Sequence, residues 1–157
     1  MILKKFQPQD LEEISELEKR AFQVGPYDSA ELAEIFMSPG SFNYIAFDEN
    51  TGRLAGYVVA VGISENMCDI ESIAVDPDFR RIGVGSLLLD AIESEMTIRG
   101  FTISVLEVRE RNEGAIRFYL SRGYRTSETI ENYYREHMSG SRNALRMSKR
   151  IVRMESR

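Results

Sequence analysis

Two arginines and two glycines lie close together in RRIGVG, residues 80–85, directly before a long amphipathic segment. A helix N-terminus exposes unpaired backbone N–H groups and a partial positive charge, and both suit a phosphate group. Gly83 and Gly85 remove side chains that would hold a pyrophosphate away from those N–H groups. Arg80 and Arg81 add cationic donors. The pattern predicts a pyrophosphate-binding loop; the alternative is a glycine turn flanked by solvated arginines.

The spacing of the glycines excludes two common phosphate-binding motifs. A dinucleotide fingerprint needs a third glycine, but the segment GVGSLL has Leu88 at that position. A Walker A loop needs Gly-Lys-Ser/Thr after a longer spacer, and the segment has no such sequence. The residues alone therefore indicate phosphate chemistry without naming the ligand.

The elements that must position this loop follow from the pattern of apolar residues and turn signals. Helix N-caps are predicted at Asp10, Asp28 and Asn112, and a helix of about four turns follows the glycine loop. Its predicted buried face is Val84, Leu87, Leu88, Ala91, Ile92 and Met96. The predicted strands are 2–6, 42–47, 54–63, 67–75, 101–108, 124–129 and 143–151.

The order of these elements, β-α-α-β-β-β-α-β-α-β-β, predicts the fold class. Alternating βα units do not run throughout, so an all-parallel sheet is not expected. We predict an α/β (α+β) fold with a mixed, largely antiparallel sheet of about seven strands flanked by about four helices. The whole chain, 1–157, is expected to form a single domain.

Composition excludes several classes of function. With 20 Lys and Arg against 25 Asp and Glu, the net charge of −5 is unlike that of a nucleic-acid-binding domain. Cys68 is the only cysteine and His137 the only histidine, so neither a disulfide nor a metal cluster is expected. Cys68, on a strand, is expected in the core. No signal peptide and no membrane-spanning apolar run is evident, so we expect a cytoplasmic protein without membrane partners.

Two segments carry a family resemblance. VDPDFRRIGVGSLLL resembles the acetyl-CoA-binding motif of the GNAT family of N-acetyltransferases, Arg/Gln-x-x-Gly-x-Gly/Ala, filled by Arg80, Gly83 and Gly85. LEVRERNEGAIRFYLSRGYR, residues 106–125, is similar to the strand–Asn–helix–Tyr–Gly–aromatic block of the family. The resemblance covers essentially the whole chain. LEVRERN, AIRFY and the later ENYY resemble the RimI-like and archaeal N-terminal protein acetyltransferases.

This resemblance implies acetyl-CoA as cosubstrate and assigns the residues that hold it. Strand residues Ile73, Ala74 and Val75 would pair with the pantetheine arm and aim an N–H at the acetyl carbonyl, where charge develops. Asn112 would bind the pantetheine region, and Tyr119 would lie near the thioester sulfur. Seven consecutive residues would cradle the pyrophosphate: Arg80, Arg81, Ile82, Gly83, Val84, Gly85 and Ser86.

Acetyl transfer also needs a neutral amine and a proton for the departing thiolate. Tyr119 is the candidate acid, because a phenol has a reference pKa of about 10 against about 8.5 for a thiol; a core aromatic is the alternative. Glu107 is the preferred base, since the RimI-like branch has a glutamate at the matching place in LEVR. Asp69 and Glu71 compete for that role, being two residues apart and so on one strand face. A solvated face or an ion pair with Arg109 is the structural alternative.

Aromatic residues in two loops predict the acceptor site. In N-terminal acetyltransferases, the resemblance implies, the segments FQVGPYD and ENYY flank the peptide. Tyr27, Tyr133 and Tyr134 would line the entry with Phe22 beneath, offering apolar contact and hydroxyl groups for a peptide backbone. Surface tyrosines in polar loops are the alternative.

The predicted function is direct transfer of acetyl from acetyl-CoA to the α-amino group of protein N-termini. Protein or peptide N-termini are then the partners, ribosomal and nascent chains among them, and the oligomeric state is left open. One alternative is a GNAT enzyme for lysine side chains or a polyamine-like amine. Another is a non-catalytic acetyl-CoA sensor, which would leave the pair Tyr119 and Glu107 unexplained.

Overall fold

The computed structural model describes residues 1–152, so the last five residues of the predicted domain 1–157 lie outside the described residues. Within them, seven strands and four helices follow one another in the predicted order, and the predicted fold class is confirmed. The strands are β1 (Ile2–Lys4), β2 (Ser41–Phe47), β3 (Leu54–Gly62), β4 (Met67–Val75), β5 (Ile103–Arg109), β6 (Arg125–Ile130) and β7 (Ala144–Arg150). The helices are α1 (Leu11–Ala21), α2 (Ser29–Met37), α3 (Val84–Ile98) and α4 (Glu113–Ser121).

The strands form one sheet in the order β1-β2-β3-β4-β5-β7-β6. All neighbouring pairs of this described sheet are antiparallel except β4 and β5, which are parallel. Their pairing joins residues 67–70 to 103–106 and stops there. We call the open space between residues 71–75 of β4 and 107–109 of β5 the fork. The fork leaves strand edges in the middle of the sheet without a neighbouring strand among residues 1–152.

Helices cover both faces of the sheet. One core cluster joins α3 to one face, and a second cluster places α1 and α2 on the other. The predicted buried face of α3 is wrong at Leu87, which is 37% exposed, while Leu89 is fully buried. Since α3 begins at Val84, the positions four and eight residues later face the sheet and Leu87 lies on the outer side. None of the helices within residues 1–152 is long and apolar enough to cross a membrane.

Two element starts differ from the sequence prediction. Asp10 does not cap α1 with its side chain; it closes a short turn at Pro8–Asp10, and its carboxylate accepts the N–H of Gln7 at 2.8 Å. The first strand ends at Lys4 because the N–H of Phe6 donates to the Asn43 side chain and not to a strand neighbour. The predicted cap at Asp28 is confirmed, with a reciprocal hydrogen bond to Glu31.

Candidate active site

The loop before α3 has the backbone of an anion-binding turn. Gly83 has φ +89° and Arg81 has φ +66°, two left-handed residues directly before the helix. The N–H groups of residues 81–86 donate to no acceptor within the described part of the chain. Unpaired N–H groups at a helix N-terminus fit a phosphate, so the predicted pyrophosphate loop has suitable donors.

Side chains anchor this loop to α1. The Nη2 of Arg80 donates to the Ala21 carbonyl at 3.1 Å, so part of this guanidinium is used inside the protein. The buried Asp76 carboxylate forms an ion pair with Arg20 and lies 3.6 Å from Arg53 Nη2. Sequence reasoning missed this anchor, since only the tertiary fold brings the three side chains together. The loop is therefore held in place before any ligand arrives.

The fork offers a second feature that fits the cofactor. Ile73, Ala74 and Val75 pair with β3 on one side, opposite Val58, Tyr57 and Gly56. Their other side faces the fork, where β5 no longer pairs with β4. An extended arm that carries amide groups can add to such an edge as a strand would. These three residues, together with the loop of residues 81–86, are thus suited to hold the pantetheine and pyrophosphate of acetyl-CoA.

Asn112 and Tyr119 lie at the start and on the inner face of α4. The Asn112 side chain accepts the Ala115 N–H at 3.2 Å and caps the helix, as predicted, so one of its polar atoms is already engaged. Tyr119 is 8% exposed and packs against Phe118 and Tyr124. Its hydroxyl has no hydrogen-bond partner among residues 1–152. Burial raises the pKa of Tyr119 well above its usual range, so this phenol holds its proton at neutral pH.

Two carboxyl groups meet where the fork begins. Asp69 lies in the last paired stretch of β4, and Glu107 is the first β5 residue beyond the pairing. Within residues 1–152, Asp69 Oδ1 and Glu107 Oε2 are the two buried side-chain polar atoms without a hydrogen-bond partner. Burial and, next, the adjoining Glu107 carboxyl raise the pKa of Asp69 to about 8. Glu71 lies at a bulge of β4 and is exposed.

Arg146 is a member of this cluster that sequence reasoning missed. It lies opposite Glu107 on β7, with its Nε 3.5 Å from Glu107 Oε2 and its Nη1 2.6 Å from Glu128 Oε1. The predicted alternative, an ion pair with Arg109, is wrong: that guanidinium donates to the Glu136 carbonyl at 2.8 Å. Only the strand register decides which arginine faces Glu107, and no local pattern in the sequence encodes it.

The two predicted acceptor loops lie beside this cluster. Tyr133 and Tyr134 pack edge to face with ring centroids 4.9 Å apart, and the Arg109 guanidinium lies 4.0 Å from the Tyr134 ring centre. Burial and then the nearby Tyr133 raise the pKa of Tyr27 to about 12. Burial, followed by the charges of Glu107 and Asp69, raises the pKa of Tyr133. The structure thus brings the predicted loop tyrosines next to the predicted carboxylates.

Phe22 and the buried Glu18 support the first predicted acceptor loop, residues 22–28. Phe22 packs against the core cluster under α1 and α2, as does Tyr27. Glu18 is 1% exposed and accepts the Tyr27 N–H at 2.9 Å and the Tyr57 hydroxyl at 2.6 Å. Burial raises the pKa of Glu18. A sequence signal existed, because Glu18 occupies the position four residues after Ile14 on the apolar face of α1.

Cys68 belongs to the core, in line with its predicted role. It is fully buried, and burial raises the pKa of its thiol to about 12, which suppresses the thiolate. No group of three or more His, Cys, Asp or Glu side chains within residues 1–152 is arranged to hold a metal ion.

Sequence comparison assigns the family. Residues 11–124, more than half of the chain, match the sequence model of the acetyltransferase (GNAT) family. The chain belongs to this family and is an acetyl-CoA-dependent N-acetyltransferase.

Three known proteins show the likeness in more detail. An uncharacterized N-acetyltransferase of Methanocaldococcus jannaschii is 35% identical over 138 residues, which cover 87% of this chain and 85% of that protein. The crystal structure of the ribosomal-protein-S18-alanine N-acetyltransferase from Escherichia coli superposes with a TM-score of 0.85 at 27% identity, covering 99% of this chain and 96% of the other. The crystal structure of Ard1 from Thermoplasma volcanium superposes with a TM-score of 0.80 at 30% identity, covering 96% of this chain and 97% of the other. These relatives support the RimI-like branch.

Proposed function

We propose that this protein transfers acetyl from acetyl-CoA to the α-amino group of protein or peptide N-termini by direct attack of the amine on the thioester. The observation that supports this most is the position of Tyr27, Tyr133 and Tyr134 beside the carboxyl cluster at the fork. A likeness to a ribosomal-protein-S18-alanine N-acetyltransferase also favours a peptide substrate, ribosomal or nascent chains included.

The cofactor part of the proposal rests on the loop and the fork. When bound, acetyl-CoA supplies an activated acetyl thioester. The N–H groups of residues 81–86 would hold its pyrophosphate, and residues 73–75 would pair with the pantetheine arm. Asn112 would contact the same arm with the side-chain atoms that its capping bond leaves free.

In the proton chemistry, Glu107 accepts a proton from the acceptor amine and Tyr119 donates one to the departing thiolate. An α-ammonium group has a pKa near 8, so roughly a tenth of it is neutral at pH 7. A lysine side chain at about 10.4 has well under a thousandth in the neutral form. A carboxylate that is a weak base is therefore better matched to an α-amine than to lysine.

Cytoplasmic action is part of the proposal. The single cysteine, Cys68, is buried and unpaired, which suits a reducing compartment. The likeness to an enzyme that is named for a ribosomal protein also supports this compartment.

A second candidate acceptor follows from the charge of the site. Asp69, Glu71 and Glu107 face the acceptor loops, with Arg146 as the neighbouring cation. An acidic site also suits a small cationic amine such as a polyamine.

A panel of acceptors separates these candidates. Initial rates with acetyl-CoA are measured for peptides with a free N-terminus, for α-blocked peptides that contain lysine, and for spermidine. We expect turnover with the free N-termini to exceed both others at least tenfold at pH 7.5. Acetylation of only the blocked peptides or only spermidine would contradict the proposal.

A further inference from the structure

The position of Asp69 relative to Glu107 indicates a role for Asp69 other than that of the base. In the parallel pair β4–β5, Asp69 lies level with Val105, and Glu107 is two residues further along β5. Side chains alternate between sheet faces with a period of two, so Asp69 and Glu107 project from the same face. Residues so placed on neighbouring strands are diagonal neighbours, so the two carboxyl groups adjoin at the start of the fork.

The hydrogen bonds of the two groups are incomplete unless they share a proton. Asp69 Oδ1 and Glu107 Oε2 are buried and make no hydrogen bond within residues 1–152, although the Arg146 Nε lies 3.5 Å from Glu107 Oε2 as an ion pair. Two ionised carboxylates only accept hydrogen bonds, so in that state each would leave the other unsatisfied and repel it. One proton on either group converts this contact into a strong charge-assisted hydrogen bond.

The surroundings decide which group carries the proton. Arg146 from β7 lies 3.5 Å from Glu107 and favours a negative charge there. Asp69 faces two other carboxyl groups, those of Glu107 and Glu71, and Arg146 acts on it less than they do. The Tyr133 hydroxyl approaches Asp69 from the loop. The thiol of Cys68, the preceding residue, points into the core. These neighbours assign the charge to Glu107 and the proton to Asp69.

We propose that Asp69 is a positioning residue: its protonated carboxyl donates a hydrogen bond to the Glu107 carboxylate, which Arg146 holds from the other side. Glu107 is then fixed between a neutral donor and a cation. Its remaining lone pair is left for the acceptor amine. This inference rests on the proposed function only in giving Glu107 the role of base, and it removes Asp69 from the candidates for that role.

Two substitutions at Asp69 separate positioning from base catalysis. Asp69→Asn keeps a neutral donor of nearly the same shape, whereas Asp69→Ala removes the donor. We expect Asp69→Ala to lower kcat at least tenfold at pH 7 and Asp69→Asn to stay within about threefold of the wild type. Asp90→Asn, the same change on the exposed face of α3, is the control. If Asp69→Asn is as inactive as Asp69→Ala, or if Asp69→Ala is fully active, the proposal is wrong.

The pH dependence of the rate gives a readout that a merely structural role would not move. Above about pH 8 the wild-type Asp69 loses its proton and the hydrogen bond to Glu107, because its pKa is raised by burial and by that neighbour. The side-chain amide in the Asp69→Asn variant cannot ionise. The ratio of kcat for Asp69→Asn to that of the wild type should therefore rise as the pH passes about 8. A ratio that stays constant from about pH 6 to about pH 9.5 would contradict the proposal.

A measurement without any acceptor keeps this inference separate from the proposed function. In the protein labelled with ¹³C at aspartate carboxyl carbons, one signal should titrate near pH 8 and be missing from Asp69→Asn. If all aspartate signals titrate near their usual pKa of about 4, Asp69 is ionised at neutral pH and the inference fails. If that signal is present but N-terminal peptides are not acetylated, the inference on the carboxyl pair stands and the proposed function fails.

Discussion

At the scale of single residues, the proposed acid and the proposed base lie on different elements and in different surroundings. Tyr119 lies on α4, where its ring is buried among Phe118 and Tyr124 and its hydroxyl has no partner within residues 1–152. Glu107 lies on β5, held by Arg146 on β7. A phenol holds its proton at neutral pH, and burial raises the pKa of Tyr119 further. The proposed acid thus lies among apolar rings, and the proposed base lies beside a cation.

Tyr119→Phe tests the acid. The change should lower kcat by roughly 10²-fold, as expected for loss of a general acid. Acetyl-CoA affinity and the free energy of unfolding should hardly change, because the Tyr119 hydroxyl makes no hydrogen bond within the described chain. Steady-state kinetics measure kcat, calorimetry measures the acetyl-CoA affinity, and urea unfolding measures the free energy of unfolding.

Tyr124→Phe is the matched control for this prediction. The Tyr124 hydroxyl binds Ser104 at 2.7 Å and Glu93 at 2.9 Å, so its loss should cost about 1 kcal/mol of stability and leave kcat unchanged. Unchanged turnover in Tyr119→Phe would remove Tyr119 as the acid.

At the scale of elements, the start of α3 and the fork form the proposed cofactor site. A left-handed residue at Gly83 lets the chain enter the helix with the N–H groups of residues 81–86 unpaired. The ion pairs of Asp76 hold the loop against α1. The fork follows from the mixed topology, because β5 pairs with β4 over four positions and with β7 over its whole length. The loop before α3 and the fork are both formed by residues of the chain itself.

Gly83→Ala tests the loop. A Cβ there meets no atom of residues 1–152 within 4 Å, but φ +89° strains an L-residue by about 1–2 kcal/mol. If the strain is relieved by moving the loop, the anion site is disturbed, so acetyl-CoA affinity should fall at least fivefold by calorimetry.

Gly52→Ala is the control, since Gly52 has φ +71°, equally open surroundings and a place in the β2–β3 turn. It should lose a similar amount of stability and keep full acetyl-CoA affinity. Equal loss of affinity in both variants would mean that the loop at Gly83 has no special part in binding.

Local patterns predicted the elements, whereas the contacts between them depended on the tertiary fold. Asp28 with Glu31 and the glycine loop before Val84 marked helix starts that need only neighbouring residues. Arg146 was missed because its pairing with Glu107 depends on the register of β5 and β7. The burial of Leu89 in place of Leu87 depends on where α3 begins and which of its faces meets the sheet. Sequence reasoning therefore identified the candidate residues and left their partners to the structure.

At the scale of the whole molecule, the fork lies between the proposed cofactor site and the proposed acceptor site. The loop before α3 and the edge of β4 would hold the cofactor in the proposed function. The two predicted acceptor loops, residues 22–28 and 131–143, carry Tyr27 and Tyr133 near the carboxyl cluster. They are in contact, since a Cβ on Gly25 would lie 2.9 Å from Glu136 Oε2 and 3.0 Å from Arg109 Nη2. In the proposed function an acceptor would reach Glu107 between these two tyrosine-bearing loops, and the free end of an extended chain suits such an entry.

The most direct test of this account uses one peptide that carries both a free α-amine and an internal lysine. The peptide is incubated with the enzyme and acetyl-CoA at pH 7.5, and tandem mass spectrometry locates the first acetyl group. We predict acetylation of the α-amine in at least nine of ten singly modified molecules, lost in parallel with turnover in Tyr119→Phe. Acetyl groups found mainly on the lysine side chain would contradict the central claim.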